Sequence, residues 1–383
     1  MRRKRGGMFF TLFLAPLDWV VLAILVCVEL VGRVWRRVAP EHPPKFPLCQ
    51  PECSLVMGTW HGKDAVKQSL PALMRAVRVH GGNHEVIIVL DYESADGTEL
   101  YVRQFFPEVK IVVADHPMYF NGASHLGIAR STRDIVILVN NDTIVDEGFL
   151  APLIGPFRDP DIFGVASHVT ESGEFGETGK THVEFNGCDF NWAHERLAPS
   201  SPPYCTVPWL HRGAFALDRR KYHWLRGLDD LFDPFYFEDA DLSYRAWKVG
   251  WRCLFSLNSR VTHKHILAMP SAADEFVSMI VRRNANIFFW KNINDAPMLL
   301  RHFGNSSVRR LHRCKGDHRR ALGVELHAYF ATLKRLSKIV RRKLRIARWI
   351  IRNDRETLRL AQSPVRPTGG ALASSEDSAR SIY

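Results

Sequence analysis

The sequence predicts an α/β fold with a mostly parallel central sheet, preceded by an apolar helix and followed by basic amphipathic helices. Two observations predict the sheet. Runs of consecutive β-branched and apolar residues recur between residues 54 and 139, and stretches with helical spacing separate them. Strands that are buried on both faces have such continuous runs, and their alternation with helices is typical of parallel sheets.

The predicted elements of the sheet follow one another with short connections. Apolar residues at intervals of three and four indicate a helix over Asp64–His80, and Ser124–Arg133 is predicted to be a second helix. Ligands bind beyond the carboxyl ends of parallel strands, so polar residues that follow a strand mark a candidate site. The predicted strands are Ser54–Met57, Glu85–Asp91, Lys110–Ala114 and Ile135–Val139.

The composition allows a large core and indicates an anionic partner. The chain has 383 residues, a hydrophobic fraction of 46% and a formal net charge of +12. Basic residues are concentrated at residues 2–5 and from 301 to 359, which favours either membrane lipid or nucleic acid as the partner. The seven cysteines are scattered, and Cys49-x-x-x-Cys53 has no second pair of metal-ligand spacing behind it, which favours unpaired thiols in a reducing compartment.

The amino-terminal residues 1–38 are predicted to be a membrane anchor. Residues 8–32 are strongly apolar, but Pro16, Asp18 and Glu29 interrupt the run, and basic residues flank it on both sides. A spanning helix needs about 20 apolar residues, so both a spanning and an interfacial anchor remain open, with a buried core helix as the alternative. A proline-rich linker is predicted over residues 39–52.

The region after the sheet domain is predicted to be helical and basic. The sheet domain is assigned to residues 53–268, the helical region to 269–362 and a disordered tail to 363–383. From Leu322 to Ile351 apolar residues recur at helical spacing, and Lys and Arg fill the other face. This pattern predicts a basic amphipathic helix on an anionic bilayer, or else a helix packed on the sheet domain with a solvated basic face.

Three acidic residues follow predicted strands or lie in an acidic aromatic segment. Asp91 and Asp142 come after strands, and Asp239 belongs to the stretch FYFEDADLSYRAW. Each alone can be explained as a turn or a helix cap. Together they fit a site for a diphosphate with a divalent metal, because such cations prefer carboxylate oxygens and keep phosphates as co-ligands. A further carboxylate can then serve as a general base.

Six segments between Ser54 and His265 follow one another in a fixed order. They are LVMGTWHG, VLDYESADGT, YFNGASHLGIARSTRDIVILVNNDT, PWLHRGAFALDRR, GLDDLFDPFYFEDADLSYRAWKVGWR and SRVTHKH. Through these segments the span resembles the family-2 glycosyltransferases of the GT-A fold, which have a Rossmann-like sheet, and most of all the bacterial rhamnosyltransferase-like members. The resemblance implies transfer of one hexosyl or rhamnosyl unit from a nucleotide-diphosphate sugar to a glycan or lipid-linked acceptor.

The resemblance implies a role for residues on the side of the nucleotide sugar. Thr59, Trp60 and Asp91 would hold the nucleotide base, and Asp96 would support the loop of this subsite. These four residues stand in the segments LVMGTWHG and VLDYESADGT, which match the family's first two strands and the turns after them.

The resemblance also implies a metal site. Asp142 would present Mg²⁺ or Mn²⁺ to the diphosphate, with Asn140 and Asn141 beside it contacting the nucleotide sugar. Asn140 takes the place of the first acid in the family's Asp-x-Asp pattern. His263 would complete the metal shell, and a hydrogen-bonded core histidine is the alternative for this residue.

The same resemblance implies which residues are catalytic. Asp239 would be the general base that deprotonates the acceptor hydroxyl, and Glu238 would shape that site. Gly213 and Ala214 would flank the acceptor. Attack by the hydroxyl opposite the leaving nucleoside diphosphate would invert the anomeric centre, and no residue in these segments suggests a covalent intermediate.

Other functions fit less well. GTWHGKD and GEFGETGKT are incomplete phosphate loops, which argues against a kinase or an ATPase. A processive synthase would need a Gln-x-x-Arg-Trp motif and several spans, and a nucleotidyltransferase would need a glycine-rich loop with a basic residue. A non-catalytic nucleotide-sugar-binding or membrane scaffold protein of the same fold remains the alternative. We expect an anionic membrane partner, no nucleic acid, and a bacterial inner-membrane location with the catalytic domain in the cytoplasm.

Overall fold

A computed structural model describes residues 14–171, 177–178, 180–195, 197–198, 200–211, 213–264, 275–306 and 318–363. Residues 1–13 of the predicted anchor, the predicted domain boundary at 268 and residues 364–383 of the predicted tail lie outside the described residues. The first described element is helix α1, Ala15–Val38.

The half of the sheet that carries the candidate site is parallel. Strands β1 (Cys53–Thr59), β2 (Glu85–Leu90), β3 (Lys110–Val113) and β4 (Ile135–Val139) are arranged in the order β3-β2-β1-β4. All three pairings are parallel, as predicted. The connecting helices are α2 (Lys63–His80), α3 (Thr98–Phe105) and α4 (Tyr119–Arg130).

The other half of the sheet is mixed. It extends from β4 in the order β4-β11-β6-β12-β10, where β11 is Ala214–Asp218, β6 is Ile162–Glu171, β12 is Arg252–His263 and β10 is Tyr204–Thr206. Strand β11 is antiparallel to both neighbours, and β12 is parallel to β6. One short strand pairs with β12 and another pairs with β6. Two more strands pair with each other and form a separate antiparallel hairpin. In chain order the elements are β5 (Thr143–Val145), α5 (Leu150–Ile154), β6 (Ile162–Glu171), β7 (Glu177–Thr178), β8 (Lys180–Phe185), β9 (Phe190–Glu195), β10 (Tyr204–Thr206) and β11 (Ala214–Asp218).

The remaining elements are mainly helical. Helices α6 (Arg219–Trp224) and α7 (Glu238–Lys248) precede the long strand β12 (Arg252–His263). The elements after β12 form a helical layer with α1. They are α8 (Glu275–Asn292), α9 (Ala296–Gly304), α10 (His318–Leu333), α11 (Leu336–Ala347) and α12 (Asp354–Leu360).

The core has three parts. Alternate residues of a strand point to opposite faces, so Leu55 and Met57 pack in the cluster on one face of the sheet and Val56 in the cluster on the other. A third cluster joins the inner face of α1 to α8, α9 and the residues around α7. The predicted mixed α/β fold is therefore confirmed, with the apolar amino-terminal helix packed into it.

The single amphipathic helix predicted over 322–351 is wrong, because the chain forms α10 and α11 with a turn between them. The hydroxyl of Thr332 donates to the carbonyl of Ala328 at 2.8 Å, and Arg335 N donates to the carbonyl of Thr332 at 2.9 Å. Such bonds tighten and end a helix. Helix α11 packs against α1 and α8, which agrees with the alternative of a packed helix with a basic outer face.

Helix α1 has one packed face and one open face. Asp18 accepts hydrogen bonds from Ser306 Oγ at 2.6 Å and Tyr329 Oη at 2.8 Å, and both acidic residues of the helix are buried. Glu29 accepts from Asn294 Nδ2 and pairs with two arginines of its own helix. The open face is apolar along the helix and exposes Trp19, Val20, Leu30, Val31, Val34, Trp35 and Val38.

Candidate active site

Asp142 and His263 meet at the junction of β5 and β12. Asp142 follows β4 directly after Asn140 and Asn141, and His263 is the last residue of β12. Antiparallel pairing places Thr143 opposite His263, and the His263 Nε2 atom lies 3.0 Å from Asp142 Oδ1. Both side chains are buried. The structure thus brings together the two residues that the sequence predicts as metal ligands.

Asn141 joins the ends of two neighbouring parallel strands. Its Nδ2 atom donates to Thr59 Oγ1, the last residue of β1, at 2.9 Å, and its carbonyl accepts from Ser69 Oγ at 2.6 Å. Gly62 lies against this pair, and a Cβ there would be 2.3 Å from Thr59 Oγ1 and 2.4 Å from Asn141 Nδ2. A larger residue than glycine at position 62 would separate the two strand ends.

Asn140 connects the metal-site segment to the predicted acceptor side. Its main-chain N–H donates to the carbonyl of Gly213 at 2.9 Å. Gly213 has a φ of +100°, and a Cβ there would lie 2.9 Å from Val169, so glycine suits this position. Ala214 begins β11 with its side chain fully buried. Its side chain is therefore closed to a ligand and packs within the sheet.

Asp91 and Trp60 lie at the ends of β2 and β1. Asp91 N donates to the carbonyl of Thr59 at 2.9 Å, and Asp91 Oδ1 accepts from the main-chain N–H groups of Tyr92 and Met118 at 2.8 and 2.9 Å. The carboxylate therefore fixes the segment before α4. The Trp60 side chain is 61% exposed, so one large aromatic surface is open to a ligand at this edge.

Asp96 stabilises the starts of two helices. Its Oδ2 atom accepts from Lys63 N at 2.8 Å, and its Oδ1 atom accepts from Thr98 N and Thr98 Oγ1 at 3.0 and 2.6 Å. Burial alone would raise the pKa of Asp96, but the hydrogen bonds from Thr98 and Lys63 outweigh it and lower the pKa. The ionised carboxylate thus holds α2 and α3 beside the Thr59 strand end.

Asp239 and Glu238 occupy the first turn of α7. Glu238 is buried and Asp239 is half-buried, and Asp239 Oδ1 accepts from Ala240 N at 2.7 Å. Negative charge is favourable at a helix amino terminus. Ser243 Oγ donates to the carbonyl of Asp239 at 2.7 Å and accepts from Leu210 N at 3.0 Å. This hydroxyl links α7 to the segment that leads to Gly213.

The third acid of this motif, Asp241, is structural. It is fully buried and accepts hydrogen bonds from Lys291 Nζ at 2.6 Å, Asn292 Nδ2 at 2.8 Å and Arg245 Nε at 2.8 Å. Lys291 also donates to Asp229 Oδ2 at 2.7 Å. Because buried charges require such partners, this network fixes α7 against α8 beneath the two acids of its first turn.

Asn284, which the sequence does not single out, holds the loop before α7. Tyr236 and Phe237 have φ values of 73° and 75°, an uncommon conformation for residues other than glycine. The fully buried Asn284 donates through Nδ2 to the carbonyls of Phe232, Phe235 and Tyr236 at 2.8, 2.9 and 2.8 Å. Strained residues of this kind persist only when their surroundings hold them, and they occur often at active sites.

The Asp142–His263 pair fits a divalent cation by its chemistry. A carboxylate and an imidazole are oxygen and nitrogen ligands that Mn²⁺ accepts, and Mg²⁺ sites commonly use one or two carboxylates with substrate phosphates. Among the described residues no group of three or more His, Cys, Asp or Glu side chains could hold a metal. Two protein ligands would leave the other coordination positions to phosphate oxygens and water.

Comparison with known proteins supports the same assignment. Residues 54–223 match the family model described as Glycosyl transferase family 2. The chain is 25% identical over 200 residues to polypeptide N-acetylgalactosaminyltransferase 11 of Xenopus tropicalis, covering 47% of this chain and 32% of that protein. It is 23% identical over 223 residues to N-acetylgalactosaminyltransferase 6 of Drosophila melanogaster, covering 55% and 32%. The chain thus spans about a third of the length of these relatives.

A solved structure shows the fold. The chain is similar to the crystal structure of GalNAc-T7 with UDP, GalNAc and Mn²⁺, with a TM-score of 0.54 and 15% sequence identity. The similarity covers 76% of this chain and 56% of that chain. It confirms the predicted GT-A fold.

Proposed function

Because residues 54–223 form a glycosyl transferase family 2 domain, we propose that the protein is a membrane-associated, inverting glycosyltransferase that uses a nucleotide sugar and a divalent cation. It moves one sugar to a hydroxyl of a glycan or lipid-linked acceptor. The observation that carries the proposal is the buried contact of 3.0 Å between Asp142 and His263 at the carboxyl edge of the parallel strands. Ligands bind at this edge in open α/β sheets.

The nucleotide lies at the ends of β1 and β2. The exposed indole of Trp60 stacks on the base, because an aromatic ring that is open to solvent can gain contact area with a ligand. Thr59 and Asp91 hold the turns on either side through their hydrogen bonds to Asn141 and Met118. Asp96 keeps α2 and α3 in position around this subsite.

Asp142 and His263 would hold Mn²⁺ or Mg²⁺. When bound, the cation would supply positive charge against the negative charge of the leaving diphosphate. Asn141 fixes the segment through Thr59, and Asn140 fixes it through Gly213, so the ligand Asp142 is set in place from both sides. The relative whose structure contains Mn²⁺ favours this ion for the first assays.

Asp239 is the general base and therefore a catalytic residue. It takes the proton of the acceptor hydroxyl while that oxygen forms a bond to the anomeric carbon. The bond from the anomeric carbon to the diphosphate oxygen breaks, and the nucleoside diphosphate leaves with the electron pair. A single displacement from the opposite side inverts the anomeric centre. The amino terminus of α7 favours the ionised carboxylate that this step requires.

Membrane association rests on α1 and its basic neighbours. Asp18 and Glu29 bind residues of the helical layer, so α1 lies along the domain rather than apart from it. Its apolar outer face then lies in the surface of an anionic bilayer, flanked by the exposed Arg33 and Arg37. By length and composition α1 is also the one helix of the described residues that could span a membrane. The bacterial inner-membrane location stays a prediction.

The test is a screen of nucleotide sugars for release of nucleoside diphosphate by the full chain. UDP-N-acetylhexosamines come first, because the curated relatives are named N-acetylgalactosaminyltransferases, and UDP-hexoses, GDP-mannose and dTDP-rhamnose follow. We expect one class to be hydrolysed slowly with Mn²⁺ or Mg²⁺ and not after chelation with EDTA. Binding of a nucleotide sugar without turnover would favour the non-catalytic nucleotide-sugar-binding alternative. Neither binding nor turnover with either metal would contradict the proposal and favour the membrane scaffold alternative.

A further inference from the structure

A cavity of about 220 Å³ lies beside the start of α7. Its described lining comes from β9 and the residue before it, from Trp209, from Phe237 and from the middle of α8. The lining is aromatic or aliphatic except for Asp189 and Arg282. We call it the aromatic cavity.

The aromatic cavity adjoins the acceptor side of the active site. Phe237 immediately precedes the two acids of the first turn of α7, and Trp209 stands four residues before Gly213. The segment that carries Trp209 is held to α7 by the bond of 3.0 Å from Leu210 N to Ser243 Oγ. The cavity therefore lies beside the segment that carries the proposed base, Asp239.

Ring contacts form the sides of the cavity and leave its mouth open. The centroid of the Trp192 ring lies 5.1 Å from that of Phe237 and 6.3 Å from that of Trp209, with steep interplanar angles of 73° and 80°. Trp192 is 45% exposed although it is a large aromatic residue, whereas Trp209 and Phe288 are buried. The exposed Trp192 indole thus lies at the opening of the cavity, where we call it the lip, and the buried rings of Trp209 and Phe288 lie deeper.

The side chains of the lining indicate which chemical class of ligand the cavity binds. Asp189 Oδ1 lies 3.4 Å from His302 Nδ1, and Arg282 Nη1 donates to Glu325 at 3.1 Å and to the carbonyl of Ala321 at 3.3 Å. The side chains of the other described lining residues are hydrocarbon apart from two indole N–H groups. A sugar ring buried there would leave several hydroxyls without partners, which is costly, whereas a hydrocarbon chain has no such groups.

Part of the cavity lining shares an apolar cluster with the inner face of α1. Trp209, Phe288 and Phe289 belong to the same apolar cluster as Leu22 and Leu25 on the inner face of α1. The outer face of α1 is the surface that we assign to the bilayer. The apolar lining of the cavity and the helix that we assign to the bilayer are thus parts of one packed cluster.

We propose that the aromatic cavity binds an alkyl or isoprenoid chain of the acceptor, which makes the acceptor lipid-linked rather than a free glycan. This inference rests on the proposed transferase function for the role of the chain, but binding of the chain can be measured without turnover. Each methylene group that enters the cavity should strengthen binding by up to about fourfold.

The test compares methyl, butyl and octyl glucoside as probes, each below its micelle-forming concentration, by isothermal titration calorimetry. We expect the full chain to bind octyl glucoside at least about tenfold more tightly than methyl glucoside. Ala285 lines the cavity on α8, and Ala285→Phe should fill the space and reduce this preference to about twofold or less. Ala151→Phe adds the same side chain at an exposed position of α5 and should keep the preference.

A second variant protects the test from a folding defect of Ala285→Phe. Trp192→Ala removes the exposed lip and should weaken octyl glucoside binding about tenfold, and Trp192→Phe should restore most of it. Equal binding of methyl and octyl glucoside to the native chain would overturn the proposal. So would maltotriose binding that the native chain shows and Ala285→Phe loses, because the cavity would then hold a sugar.

The two proposals fail separately. If the native chain releases nucleoside diphosphate but shows no preference for octyl glucoside, the transferase function stands and the aromatic cavity does not hold a chain. If it prefers octyl glucoside but neither binds nor hydrolyses any nucleotide sugar, chain binding stands and the transferase function fails.

Discussion

Asn284 Nδ2 donates a hydrogen bond of 2.8 Å to the carbonyl of Tyr236, three residues before Asp239 in the chain. The same amide group reaches the carbonyls of Phe232 and Phe235. A fully buried side chain of α8 thus holds the loop with two left-handed residues that leads to the proposed base. We regard Asn284 as a positioning residue.

Replacing Asn284 should lower turnover far more than nucleotide-sugar affinity. In Asn284→Ala three carbonyls lose their partner, the loop relaxes, and the free energy of unfolding falls by about 2–3 kcal/mol. A misplaced Asp239 should reduce kcat about 10- to 100-fold, while KM for the nucleotide sugar changes less than about threefold. Steady-state kinetics and urea unfolding measure both quantities.

Asn286→Ala is the matched control, since Asn286 is also a buried asparagine of α8. It should not show the same loss of kcat. If both variants lose kcat in proportion to their stability, Asn284 has only a structural role.

Removing the apolar outer face of α1 should weaken membrane binding. Trp19 and Trp35 are 53% and 42% exposed on that face. The double variant Trp19→Gln, Trp35→Gln should bind vesicles with phosphatidylserine at least about tenfold less tightly in a flotation assay, because interfacial aromatic residues are lost. Leu100→Gln changes a residue of α3 that is 69% exposed and should bind like the native chain.

The same assay tests the role of the basic residues. Native chain should bind phosphatidylserine vesicles more tightly than phosphatidylcholine vesicles, and the difference should shrink as salt rises. Equal binding to both kinds of vesicle would refute the electrostatic part of the account and leave only the apolar face of α1.

Glu85 should make stability depend on acid pH. Burial alone would raise the pKa of Glu85, but hydrogen bonds from Lys110, Ser54 and Thr132 outweigh it and lower the pKa from 4.5 to about 2. Because the folded pKa is depressed, this stabilisation is present above about pH 4.5 and is lost as the pH falls toward about 2.

Urea unfolding of Glu85→Gln measures this effect. The variant should be less stable than the native chain by about 1–2 kcal/mol near pH 6, since Lys110 is half exposed and its charge is screened. The deficit should shrink near pH 3. Glu99→Gln alters an exposed pair with Arg103 and should show a deficit below about 0.5 kcal/mol at both values. A pH-independent deficit in Glu85→Gln would contradict the assignment.

The edge of the sheet that holds the site could be predicted from the sequence. The apolar runs before Asp91 and Asn140 are local features, and parallel strands bring their carboxyl ends to one edge whatever the details of packing. The meeting of Asp142 and His263 needs more, because it depends on the antiparallel pairing of β5 with β12. The resemblance to the family suggested that contact, and pattern alone did not.

Asn284 and the aromatic cavity could not be predicted, because both depend on how α8 packs against the loop before α7. The one local signal is that Asn284 begins the mostly apolar stretch NANIFFW, and many buried asparagines have no role in a site. Asp18 and Glu29 are different. They are eleven residues apart, which is three helical turns, so the sequence could have placed both on one packed face.

The central claim is tested most directly by measuring binding and turnover of the nucleotide sugar in Asp142→Ala and Asp239→Asn. We predict that Asp142→Ala loses Mn²⁺-dependent binding of the nucleotide sugar by calorimetry. We predict that Asp239→Asn binds within about threefold of the native chain but releases nucleoside diphosphate at least about 100-fold more slowly. Native-like turnover by Asp239→Asn, or undiminished Mn²⁺-dependent binding by Asp142→Ala, would contradict the account.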